Sequence, residues 1–160
     1  MARKRATTSD ATALVRRGYE LAVAAQQFEQ VIGAYRTLFL HLERQLGESE
    51  FAAKADPAAL ARLEAVLESE IRPQERAVWE AFAALFGFAW GDRVRVVHPT
   101  HEPIDLEPTA LVFNPPNGEP FALVQGRALR RDGQPGNRAA QAYLQPGAST
   151  VTVLSTADRT

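Results

Sequence analysis

From residue 14 to residue 46 the apolar positions step by 4, 3, 4, 3 without a slip: Leu14, Gly18, Leu21, Ala25, Phe28, Ile32, Tyr35, Phe39, Leu42 and Leu46. That alternation keeps one stripe on one side of an α-helix, so the run predicts a single long helix with a coiled-coil seam. A strand cannot use it, because a strand reverses its side chains at every residue. Ser9 or Asp10 is placed to cap the start, and Gly47 to end the helix. At ~1.5 Å per residue its length would be roughly 55 Å.

The flanks widen the stripe. Val15, Ala22, Ala24, Val31 and Leu38 lie beside the seam, and between Glu20 and His41 the only charges are Glu29 and Arg36. A helix bathed in water on its outer face carries more charge than this. The expected contact surface is therefore Leu21, Phe28, Val31, Ile32, Tyr35, Leu38, Phe39 and Leu42, facing more than one neighbour.

A second helix is expected from Pro57, with Asp56 as its cap and Leu60, Leu63, Val66, Leu67 and Ile71 as its stripe. Pro73 removes a backbone donor and should kink or break it before the stripe resumes at Val78, Phe82, Leu85 and Phe86. The short link 47–56 makes an antiparallel hairpin the economical topology.

Eight of the ten prolines fall after residue 91, where β-branched residues gather in short runs. Strands are expected at 93–98, 110–114, 120–131, 139–144 and 151–154, with an acidic loop over 99–109 and turns at 114–118, 132–137 and 145–147. The expected organisation is a basic tail (1–9), a helical hairpin (10–86), a small β-module (91–154) and a terminal tail (155–160). This is an α+β chain: a coiled-coil-like antiparallel hairpin followed by five strands.

The strand order of 91–154 resembles the SH3-like small barrels, Tudor and KOW-type modules among them. The resemblance implies a five-stranded barrel and a binding role; it rests on strand order and carries over no binding residues.

Composition narrows the chemistry. A net charge of −1 excludes polyanion binding by bulk charge, and the absence of cysteine excludes disulfides and thiolate zinc sites. The run from Leu21 to Leu40 is broken by glutamines, Glu29 and Arg36, so no membrane span is expected and a cytoplasmic protein is. Arginine and alanine richness suits a GC-rich bacterial or phage genome. No glycine-framed nucleophile with a spaced histidine occurs, so no catalytic residues and no cofactor are assigned.

Three clusters remain. His98, His101, Glu102 and Asp105 share one segment, but Pro99 and Pro103 interrupt it and no helix aligns the imidazoles; no metal is assigned. Arg93, Arg95, Arg127, Arg130, Arg131 and Arg138 form a candidate patch for an anionic partner. Glu48, Glu50 and Asp56 form an acidic tip on the hairpin. In length and order the chain resembles bacterial transcription-cleavage factors of the Gre type, which carry tip carboxylates on a long helical hairpin. The leading expectation is a non-enzymatic protein-interaction or assembly module, partnered by a second copy or another protein. The competing one is a regulator binding nucleic acid or RNA polymerase through the arginines or the tip.

Overall fold

The computed structural model describes residues 8–54 and 56–155. Most of the basic tail (1–7) and of the terminal tail (156–160) lies outside them. The chain is α+β: helix α1 (Thr8–Leu46), a short α2 (Glu48–Lys54), α3 (Pro57–Val66), α4 (Arg72–Leu85), then strands β1 (Arg93–His98), β2 (His101–Phe113), β3 (Ala122–Leu129), β4 (Pro135–Leu144) and β5 (Thr150–Ser155).

Helix α1 already includes Thr8, Ser9 and Asp10, so its start precedes the expected cap, and Asp10 serves as a first-turn acid instead. Gly47 ends it at φ 77°, and its N–H donates to the Glu43 carbonyl at 2.9 Å. Asp56 caps α3, its side chain accepting from the Ala58 N–H at 3.1 Å.

Pro73 neither breaks nor interrupts the helical run. A π-helical turn, Leu67–Ile71, precedes it, and the Arg72 N–H bonds the Leu67 carbonyl five residues back. The wider turn admits the residue that has no donor, and the Gln74 side chain reaches the Glu70 carbonyl at 2.8 Å.

The chain divides into two compact units, residues 21–75 and residues 1–20 with 76–160. In the first, α1 runs antiparallel to α3, the π turn and the start of α4. Ala25, Ile32, Leu67 and Ile71 form its buried core, with Ala24, Phe28, Leu60 and Leu63 packed against them. Ion pairs Arg36–Glu64 and Arg72–Glu29 bracket that core and register the two helices.

In the second unit the sheet is antiparallel, ordered β4-β3-β2-β1-β5: a four-strand meander, β1 to β4, with β5 returning to pair with β1. Its inner face carries Val94, Val96, Leu106, Leu111, Phe113, Val124 and Leu144, all buried. Phe82 of α4 meets Phe113 edge-on at 5.3 Å, and Gly18 of α1 lies against the same ring. Five residues join the two edge strands, and β4 touches β1, so the sheet is strongly curled.

The expected acidic loop 99–109 is instead the first two-thirds of β2; only Pro99 and Thr100 turn the chain. Two prolines and three acids within it hid the strand. Two of its acids stand directly opposite arginines, Asp105 across from Arg95 and Glu107 across from Arg127, and a bulge between Pro108 and Ala110 takes up the irregularity. The strands expected at 120–131 and 139–144 end at Leu129 and begin at Pro135, respectively.

Candidate functional site

The expected contact surface on α1 splits by depth. Leu21 and Ile32 are buried, Ile32 in the hairpin core; Phe28, Phe39 and Leu42 are half-buried. Tyr35, expected in the buried seam, is instead exposed, as are Val31 (44%) and Leu38 (49%). Of the other flanking residues Val15 is buried and Ala22 exposed.

The exposed set has its own order. Val31, Tyr35 and Leu38 step by 4 and 3, and the half-buried Leu42 follows by 4, which makes a second seam on α1 beside the one that α3 and the π turn cover. Leu40, not singled out from the sequence, is 54% exposed nearby. An aromatic row continues toward the hairpin tip, Tyr35 to Phe39 at 5.8 Å and Phe39 to Phe51 of α2 at 5.6 Å, both edge-on. Phe51 was missed because nothing in residues 47–56 signalled a helix that would return it to α1.

Electrostatics leaves this face neutral. Glu29 and Arg36, the only charges between Glu20 and His41, pair with Arg72 and Glu64 across the hairpin at its surface. Arg72 also bonds the buried Glu75 at 2.8 Å, and these carboxylates, Glu75 foremost, raise its pKa. The remaining outer positions are Ala22, Gln26, Gln27, Gln30, Gly33, Ala34 and Thr37.

The arginines do not form one unopposed cationic field. Arg95 holds Asp105 through two bonds of 2.7 Å, and that contact keeps the Asp105 carboxyl below its ordinary pKa. Glu107 bridges Arg127 and Arg93, the latter at 3.5 Å, and Arg130 stands 3.9 Å from Asp132. Among the described residues Arg131 and Arg138 show no carboxylate partner; Arg138 shares an open depression with Arg95, floored by Ile104, Leu129 and Ala140.

The acidic tip also divides. Glu48 and Glu50 lie in the first turn of α2, whereas Asp56 is a helix cap that also bonds Arg62 at 2.7 Å, which lowers its pKa.

The histidines are brought together after all, by the tight β1–β2 turn. His98 and His101 have ring centroids 5.1 Å apart, and Tyr143 of β4 stacks on His101 at 4.6 Å. Glu102 and Asp105 do not join them: among the described residues no group of three or more His, Cys, Asp or Glu could hold a metal ion. Tyr143, and Gln145 beyond it, were invisible as members of this cluster because they come from the far edge of the sheet. No described helix is long and apolar enough to cross a membrane. Compared with family models, curated proteins and solved structures, the chain matches none.

Proposed function

We propose that this protein is a non-enzymatic assembly module that associates with a second copy of itself through the outer face of α1, and that the sheet offers a second contact surface. The observation that carries the reading is the heptad-spaced row Val31, Tyr35 and Leu38, exposed on a helix face with no charge along it and continued by the half-buried Leu42. Large apolar side chains in register at the surface are what a facing helix covers. A second copy suits this face because neither side brings a charge that would be buried unpaired. The strand order β4-β3-β2-β1-β5 supports an SH3-like reading of the sheet, as a small barrel that binds other chains.

Sedimentation equilibrium over a wide concentration range tests the association. The wild type is expected to dimerise or assemble further. Val31→Asp and Leu38→Asp should each weaken association about 10- to 100-fold, the equivalent of roughly 1.5–3 kcal/mol for one buried aliphatic side chain. Both positions are exposed in the single chain, so helix content and Tm in dilute solution should hold. Ile32→Asp is the contrasting control: it places a charge in the hairpin core and should unfold residues 21–75. A wild type that stays monomeric at every concentration overturns the proposal.

A further inference from the structure

Three donor atoms at the β1–β2 turn form a nearly equilateral triangle. Thr100 Oγ1 stands 2.9 Å from His98 Nδ1 and 2.9 Å from His101 Nδ1, and the two ring nitrogens are 3.2 Å apart. Ligands at about 2.1 Å from a metal are separated by about 3.0 Å at the right angles of a tetragonal or octahedral shell and by about 3.4 Å in a tetrahedral one. The triangle therefore has the dimensions of one face of a tetragonal or octahedral coordination shell.

The side chains around it fix which atom of His98 points inward. The Glu119 carboxylate only accepts, so the Gln145 Nε2 that meets it at 2.7 Å is the donor of that amide. The other end of the amide, Oε1, then faces His98 Nε2 at 3.3 Å and must accept from it. His98 thus carries its proton on Nε2 and turns the Nδ1 lone pair into the triangle, where it accepts a long hydrogen bond of 3.3 Å from the Thr100 backbone N–H that a cation would displace. A relay from ligand imidazole through an acceptor to a carboxylate is how histidine ligands are oriented and made more basic. His101 is held differently, by the Tyr143 ring stacked on it. One threonine hydroxyl proton cannot serve both Nδ1 atoms at once.

We propose that His98 Nδ1, His101 Nδ1 and the weaker Thr100 Oγ1 donor form an open site for a divalent transition cation of the zinc–copper class, with water completing the shell. Imidazole nitrogen selects these ions over magnesium or calcium. His101 and Thr100 are exposed, which gives an aqueous ion access and a partly hydrated, exchangeable site. The inference is independent of the association through α1.

Calorimetric titration of tag-free protein with Zn²⁺, and electron paramagnetic resonance with Cu²⁺, test it. Binding at one site with two-nitrogen coordination is expected. His98→Ala and His101→Ala should each weaken it at least tenfold, whereas His41→Ala, the only other histidine, should leave it unchanged. Gln145→Leu removes the acceptor behind His98 and should cost about tenfold while both ligands remain, a loss in line with the 10- to 100-fold seen for such outer partners. If an alanine variant fails to fold, imidazole ¹⁵N shifts of the wild type decide the matter: zinc-induced changes confined to His98 and His101 support the site. Changes at His41 alone, no binding at millimolar zinc, or variants that bind as the wild type does overturn it.

Discussion

A Cβ built on Gly18 would stand 2.2 Å from the Phe113 ring, and one on Gly126 would stand 2.1 Å from the Glu107 carbonyl oxygen. Gly33, by contrast, has nothing within 4 Å of that position. Gly18→Ala should therefore destabilise by about 1–3 kcal/mol through overpacking, while Gly33→Ala should stabilise α1 by up to about 1 kcal/mol through helix propensity. Urea denaturation of the variants checks both signs. The Arg95–Asp105 pair makes a pH prediction. Because Arg95 lowers the folded-state pKa of Asp105, the pair stabilises above the ordinary carboxylate value of about 3.9 and its contribution is lost as pH falls through the folded value. Arg95→Ala should lower Tm at neutral pH, and the gap from the wild type should close in the acid range; a gap that widens in acid contradicts the pairing. Gly18 was legible as a small seam position, but the ring that requires it to be small was not.

Helix α3 depends on its first turn. Asp56 accepts from Ala58 N–H and bonds Arg62, so Asp56→Ala should speed amide exchange at Ala58 and Ala59 without altering exchange in the strands. Both helix ends at residues 47 and 56–57 were readable, because a left-handed glycine and an Asp–Pro start are local chemistry. The passage through Pro73 was not readable. A proline in a helical pattern argues for a stop, and only packing on either side of it, with Ile71 and Glu75 both buried, sustains the helix through a π turn. Strand β2 failed for a related reason. Prolines and acids are loop composition by propensity, yet the facing arginines on β1 and β3 make the same acids into cross-strand partners.

Taken as a whole, the chain concentrates its large buried side chains in one of its two units. Phe82, Leu106, Leu144, Val94, Val96, Val124 and Val15 belong to the unit with the sheet; the helical unit encloses a core of Ala25, Ile32, Leu67 and Ile71. The smaller core should open first, so amides of residues 25–42 should exchange faster than those of β1, β2 and β3 in dilute solution. If a second copy covers α1, raising the protein concentration should slow exchange over residues 28–42 and leave the strands unchanged. Concentration-independent exchange in that segment counts against association.

The amino-acid sequence by itself determined the long helix, its end at Gly47, the capped start at Asp56 and the α+β order, because each rests on periodicity or on capping chemistry within a few residues. The charge-poor flank of α1 was visible there too. What tertiary structure decided was which side of that flank stays open. The hairpin buries Ile32 and pairs the exposed Glu29 and Arg36 with Arg72 and Glu64 across it, leaving Val31, Tyr35 and Leu38 outside. Tertiary structure also decided that Asp105 and Glu107 of the acidic run face Arg95 and Arg127 of the arginine patch across the sheet, that His98 and His101 meet Tyr143, and that His98 meets Gln145. Those outcomes depend on strand register and sheet curl, which bring together residues about 10 to 47 positions apart in the chain. No local pattern encodes such a separation.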